Sequence, residues 1–500
     1  MNRLNGKNEE DRRIYERSAR LLLLLALRDI APGAKARFDH SIGRGIYLNV
    51  SGVSLTASLV RRIEARMHEL SRANLPIVQS RWTREQAVEY FRTQGQEDTV
   101  RLLTYRPFDY FDVYTCDGLS EYFYGGMVES TGEIESFALR FYYPGMVLLL
   151  PDEDLSGPPA PFVERPKLMR AYVEANACSK ILQCENAADL NDIIAKGEAR
   201  TFIRVSEAMQ ERAVAQIAER IVANGARVVF VAGPSSSGKT TFANRLSVQL
   251  RVSGKRPLAI SLDNYYKNRE DIPLGADGKP DLECLESIDV PLFNDQLVEL
   301  LAGREAELPL YSFKTKRRLE QGVRLRVDED QVLVVEGIHG LNSALSEEIP
   351  SELKYRVYVS ALTQLNLDGH NRIRTTDVRL LRRMVRDART RHTDVTATMA
   401  MWDSVRAGEE KYIFPYQEKA DVMFNSSLLY EIAVLKKYAY PMLKSIRTAR
   451  ITRARGGWSN SSTTSRIAAM RAKSRQPPFC ENLSADARFT MNNPALPCPH

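Results

Sequence analysis

Apolar residues recur along this chain in two periods, one helical and one strand-like. From Ile14 to Ile30 the spacing is helical until Ala31-Pro-Gly ends it, and Thr56 to Leu75 repeats the pattern up to Pro76. A third helix is predicted over Thr83 to Gln94. Strands are predicted at Gly45 to Val50, Val100 to Tyr105, Phe111 to Cys116, Ser136 to Tyr143 and Met146 to Leu150. This mixture predicts an α+β domain over residues 1–155, since Ser156-Gly-Pro-Pro-Ala-Pro has the composition of a linker. Residues 156–205 are then a linker and helical connection, within a mostly helical stretch from Pro166 to Asn224.

Beyond Asn224 the pattern changes. Val228 to Val231, Pro257 to Asp263, Val332 to Glu336, Arg356 to Ser360 and Asp421 to Asn425 are short apolar runs separated by helical stretches. Strands alternating with helices predict a parallel, doubly wound sheet over residues 206–446, with its ligand at the carboxyl ends of the strands. Asp263 and Glu336 both fall at that end. Residues 447–500 lose apolar periodicity, are rich in Arg, Ser, Thr and Asn, and are expected to lack a stable fold. Read two nucleotides later, codons compatible with Arg455 to Ser465 can spell RRLVKFL, as they would if this tail were a frameshift product.

Composition adds limits. The chain has 500 residues, 44% hydrophobic and 27% charged, enough for more than one domain. Leu21 to Leu27 is the longest apolar run, below the roughly 18 residues a membrane span needs. With no signal peptide, a cytoplasmic protein is expected. The six cysteines lack metal-ligand spacing. The net charge is +7, but residues 447–500 hold nine Lys/Arg and two Asp/Glu, which leaves 61 of each sign in the body. A nucleic-acid partner is therefore not called for, and a homo-oligomer is left open.

The candidate chemistry starts at Val228. The run VVFVAGPSSSGKTT joins a strand to Gly233-x-x-x-x-Gly238-Lys239-Thr240 and then to a helix over Thr241 to about Arg251. The glycines let successive N–H groups turn toward phosphate oxygens, Lys239 reaches the β- and γ-phosphates, and the Thr240 hydroxyl can ligate Mg2+. Gly233, Ser235, Ser236, Ser237, Gly238, Lys239, Thr240 and Thr241 are thus the expected ATP-binding loop. The fold expected is an α/β P-loop NTPase preceded by an α+β domain. Phosphoryl transfer also needs a proton acceptor, a metal site and cations. Asp263 is placed to take a hydroxyl proton, Glu336 to hold Mg2+ through water, and Lys239 to serve transfer itself. Arg382, Arg383, Arg386, Arg389 and Arg391 lie in one basic stretch. Such a helix is usually a solvated face, and only Arg383, Arg386 and Arg391 are carried as phosphate contacts.

At these residues the chain resembles the uridine kinase and phosphoribulokinase superfamily, from about Val228 to Ile446. The resemblance rests on Gly-Pro-Ser-Ser-Ser-Gly-Lys-Thr-Thr, Ser261-Leu-Asp-Asn-Tyr-Tyr266, Leu310-Tyr-Ser-Phe313, Val335-Glu-Gly-Ile-His339 and the arginine helix, in that order. It implies that Asp263 is the base for a ribose 5′-hydroxyl, that Glu283 grips ribose hydroxyls, and that Tyr311 and Phe313 flank the base. Tyr265 and Lys316 join the substrate side. Lys316 stands where uridine-cytidine kinases carry a base-reading histidine, and Glu283 replaces the usual Asp. The first domain resembles the second additional domain of threonyl-tRNA synthetase through Tyr15-Glu-Arg-Ser-Ala-Arg-Leu-Leu and Gly125-Gly-Met-Val-Glu-Ser-Thr-Gly132. There Glu16, Arg20 and Met127 replace the family's histidines, so a packing or binding module without metal or editing chemistry is expected. The function expected is an ATP- and Mg2+-dependent nucleoside kinase acting on uridine or cytidine. The rivals are another small-molecule kinase of the superfamily, with a sugar phosphate as acceptor, and a nucleotide-gated RNA-binding protein.

Overall fold

A computed structural model describes residues 9–152, 154–275, 278–312 and 315–455, with side chains as far as 446. Phe313, expected beside the base, and most of the tail from 456 onward lie outside the described residues. Helix α1 (Glu9–Ile30) opens the chain, followed by strands β1 (Lys35–Ile42) and β2 (Gly45–Ser51) and helix α2 (Ala57–Arg72). Next come β3 (Val78–Thr83), α3 (Arg84–Thr93), α4 (Glu97–Thr104), β4 (Tyr110–Cys116), β5 (Leu119–Glu121), β6 (Ala138–Tyr142) and β7 (Gly145–Leu149). One antiparallel sheet has the order β1-β2-β7-β6 and a second the order β3-β4-β5. The leucine run of α1 is buried against α2 and the inner face of the first sheet, with Phe38, Ile63, Met67 and Leu148 as neighbours in one core.

The stretch Val100 to Tyr105, expected as a strand, lies in helix α4 instead. Its buried residues, Thr99, Val100, Leu102 and Leu103, form a helical stripe, and Glu97 and Asp98 fill the first turn, where acids suit the helix dipole. A six-residue apolar run cannot by itself distinguish the two periods.

Three helices follow: α5 (Pro166–Ile181), α6 (Ala187–Ala195) and α7 (Ala199–Ala223). The division placed between residues 205 and 206 falls inside α7, which has neither Gly nor Pro to interrupt it. The parallel sheet is built from β8 (Val228–Ala232), β9 (Arg256–Ser261), β14 (Gln331–Glu336), β15 (Lys354–Ser360) and β16 (Val422–Asn425), in the order β16-β15-β8-β14-β9. Between β8 and β9 lies α8 (Lys239–Val252), and α9 (Val290–Leu301) follows β9. Four short strands come before β14: β10 (Ala306–Leu308), β11 (Tyr311–Ser312), β12 (Arg317–Arg318) and β13 (Val323–Leu325). Helices α10 (Thr375–Thr390) and α11 (Val395–Tyr412) separate β15 from β16, and α12 (Glu431–Arg455) closes the described chain.

All five residues of β8 are buried, because both of its faces are covered. Val229 and Val231 meet Ile217 of α7 and Leu246 of α8, while Val228 and Phe230 meet Phe293 and Leu297 of α9. The architecture is an α/β P-loop NTPase fold preceded by an α+β region. Among the described residues no helix is long and apolar enough to cross a membrane.

Candidate active site

The loop after β8 adopts backbone conformations its sequence was chosen for. Gly233 has φ +155, and a Cβ there would lie 2.0 Å from the Val359 carbonyl oxygen of the neighbouring strand. Ser236 and Gly238 are left-handed, at φ +58 and +90, and Gly238 opens directly into α8. Thr241, in the first turn of that helix, is exposed. Lys239 is bent back over the loop, its Nζ donating to the carbonyls of Gly233 at 3.0 Å and Pro234 at 3.3 Å. Burial lowers its pKa, against the pull of Glu336 and Asp263.

Both acids come to the same end of the sheet. Glu336 ends β14, and its Oε2 accepts from the Thr240 hydroxyl at 3.0 Å. Asp263 sits two residues past the end of β9, in a short 3-10 turn over Leu262–Tyr265. Burial raises the pKa of Asp263, partly offset by Lys239, Arg391 and Arg386. Burial also raises that of Glu336, where Lys239 opposes the effect. A hydroxyl and a carboxylate in contact are hard oxygen donors of the kind Mg2+ takes, so the residues present fit that ion.

Glu283 is pushed up to about 7 by burial and by the nearby Glu409 carboxylate, against Arg383 and Lys239. Gly408 makes this packing feasible, since a Cβ there would lie 2.6 Å from that of Glu283. Tyr311 lies with its ring centroid 5.7 Å from that of Tyr266. Its backbone N–H donates to Asn264 Oδ1 at 3.3 Å, tying β11 to the turn that carries Asp263. Tyr266, not among the sequence candidates, is the ring brought beside Tyr311; its hydroxyl donates to the Leu282 carbonyl at 3.0 Å, next to Glu283. Tyr265, expected on the substrate side, turns to the core instead. It is 1% exposed, its hydroxyl donates to Gln296 at 2.8 Å, and its ring packs edge-on against Phe293, so the first tyrosine of the pair faces the core. Lys316 is exposed in the left-handed turn between β11 and β12, at φ +60.

The arginines divide differently from expectation. Arg383 reaches the loop, its Nη1 donating to Ser235 Oγ at 2.8 Å. Arg386 and Arg391 lie around Asp387, whose side chain is 2% exposed. Two further arginines hold the loop: Arg382, read from sequence as part of a solvated face, and Arg379, not among the candidates. Arg379 donates through Nε to the Ser235 carbonyl at 3.0 Å and pairs with Glu409, and both side chains are essentially buried. Glu409 in turn accepts the Ser235 backbone N–H at 3.0 Å. Arg382 donates to the Ser236 carbonyl at 3.4 Å and is braced by Glu431. The signal for this pair was the i, i+4 spacing of Arg379 with Arg383 and of Arg382 with Arg386, two rows of one amphipathic helix. Glu409 carried no signal, since nothing in Gly408-Glu-Glu410 marks a partner for the loop.

A family model for the Phosphoribulokinase / Uridine kinase family matches residues 228–432. A uridine kinase of Deinococcus deserti is 30% identical over 197 residues, 39% of this chain and 86% of the relative. The chain belongs to the phosphoribulokinase/uridine kinase family. It is accordingly a phosphotransferase with an alcohol group as acceptor, a kinase of a nucleoside or another small molecule. A uridine kinase of Lactobacillus helveticus is 26% identical and is covered over 84% of its length. Among solved structures, that of a possible uridine kinase from Bacillus stearothermophilus is 20% identical, with 43% of this chain and 98% of that one covered at a TM-score of 0.29.

Proposed function

We propose that this kinase transfers the γ-phosphoryl group of ATP to the 5′-hydroxyl of a nucleoside, uridine or cytidine. The observation that carries the reading is the convergence of Lys239, the Thr240–Glu336 pair and Asp263 at one end of the parallel sheet, with Tyr266 and Tyr311 beside Glu283. Backbone N–H groups of 236–241 cradle the phosphates, and Lys239 swings from its carbonyl partners to the β- and γ-phosphates. Mg2+ held by Thr240 and, through water, Glu336 would neutralise charge developing on the phosphoryl oxygens. Asp263 takes the acceptor proton, and its burial makes the carboxylate a better base than one in water. Arg383, Arg386 and Arg391 leave Asp387 for the transferred group. A nucleoside's flat ring and vicinal hydroxyls match two tyrosine rings and a carboxylate. The name uridine kinase carried by the relatives agrees with this reading.

A sugar phosphate as acceptor is the second reading; Lys267 and Arg318 line a cavity of about 360 Å3 near Tyr266, though Asp271 and Asp289 line it too. Arg318 is already committed to Asp289 at 3.0 Å and to the Tyr265 and Tyr266 carbonyls. We also infer that the first 155 residues form a unit akin to the second additional domain of threonyl-tRNA synthetase, without its chemistry, because Glu16 is occupied by Arg372 and Arg374. Screening nucleosides and ribulose 5-phosphate for ADP release tests the choice. Turnover with uridine or cytidine supports the reading, and turnover with the sugar phosphate alone overturns it.

A further inference from the structure

The segment from the end of β15 to the start of α10 has no helix or strand, yet Leu365, Asn366, Leu367, Asp368 and Ile373 are each at most 4% exposed. A connection this deeply buried must find partners for its backbone. It finds them in the first unit of the chain. Gly369 donates its N–H to Asp98 and accepts from the Phe38 N–H at 2.9 Å, while Arg20 donates to the His370 carbonyl at 2.9 Å.

The same docking continues into the arginine helix. Glu16 of α1 accepts from Arg372 at 3.0 Å and from Arg374, and Arg13 donates to both oxygens of Asp377 at 2.7 and 3.2 Å. Asp377 lies in the first turn of α10. Two residues further on is Arg379, and then Arg382, whose guanidiniums hold the Ser235 and Ser236 carbonyls of the phosphate loop. Glu16 and Arg13 are therefore one helix away from the donor site and touch none of its residues directly.

We propose that Glu16, assisted by Arg13, is a positioning residue for nucleotide binding: helix α1 fixes the start of α10, and α10 fixes the phosphate loop. The first unit then acts as a brace on the donor site, through hydrogen bonds of α10 to the phosphate loop, whereas Asp263 and Glu283 come from β9 and the segment after it and meet α10 only through the charges of Arg383, Arg386 and Arg391. The inference rests on the reading of the phosphate loop as the ATP site.

The test uses the full chain and measures ATP binding by calorimetry alongside the KM of the acceptor. Glu16→Gln should weaken ATP binding by about 5-fold or more, as expected for coupling between packed elements, and leave the acceptor KM near its starting value. Glu16→Asp, which keeps the charge, should recover much of the loss. Arg13→Gln removes a partly buried contact and should weaken ATP binding by a lesser factor, with faster hydrogen exchange of the α10 amides. Unchanged ATP affinity in both Glu16→Gln and Arg13→Gln would overturn the proposal. So would a loss that merely follows the fraction of unfolded protein in thermal melts, or an equal loss for ATP and acceptor. Failure of the unaltered chain to bind ATP would instead sink the donor reading, and this inference with it.

Discussion

At the scale of single residues, the account rests on where two carboxylates hold their protons. Asp263→Asn keeps the shape of the site and removes the base, so ATP binding should persist while kcat falls by about 100-fold or more. Loss of ATP binding instead would make Asp263 a metal or structural group. Glu283 gives a pH dependence. Burial and the Glu409 charge lift its pKa to about 7, so below that pH it is protonated and accepts poorly from ribose hydroxyls. The acceptor KM should therefore rise as pH falls through about 7, and Glu283→Gln should flatten the profile. A dependence that survives the substitution would remove Glu283 from the acceptor site. Much of this site was legible in the sequence, because the phosphate loop and two strand-terminal acids are local patterns. That Tyr265 meets the core and Tyr266 meets Tyr311 was not legible, because adjacent residues of a 3-10 turn point in different directions and no local signal says which one turns inward. Glu409 is 30 residues from Arg379 and meets the loop only through tertiary packing.

At the scale of elements, strands buried on both faces were the readiest to recognise, since β-branched runs have few other uses. Phe230 shows what such a strand contributes. It is fully buried, with its ring 6.5 Å from that of Phe293, and it supports the strand that launches the phosphate loop. Phe230→Ala should cost about 3–5 kcal/mol in urea-induced unfolding. A cost under about 1 kcal/mol would mean the sheet is not packed as described. Helix α10 was legible as a basic helix, but its role was not. A row of arginines reads as a solvated face until the partner row is known, and here Ser235, Ser236, Glu409 and Glu431 supply that row. The strand predicted at Val100 to Tyr105 failed for the opposite reason: a short run carries too few positions to separate a period of two from one of 3.6.

At the scale of the whole molecule, the two parts of the chain are joined by charge as well as by apolar packing. His370 lies between them. Burial opposes its charge, but Glu121, 2.9 Å from Nδ1, with Asp368 and Asp98, overcomes this and lifts its pKa to about 9. A histidine whose pKa rises on folding contributes stability that is present below about 6.5 and lost as pH rises through about 9. Asp368, pushed up to about 7 by burial and Asp98, works in the same direction at lower pH. The melting temperature should thus fall between neutral pH and about pH 9 more steeply in the unaltered chain than in Glu121→Gln. Parallel curves would contradict the pairing. None of this was legible from sequence, since Glu121 and His370 are separated by 249 positions. Transfer to a nucleoside 5′-hydroxyl is decided by phosphorus NMR of the product formed from ATP, Mg2+ and uridine or cytidine. The account predicts a monoester whose phosphorus couples to the two C5′ protons, absent with Asp263→Asn. A phosphoryl group on another hydroxyl, or no product from either nucleoside while a sugar phosphate turns over, would contradict it.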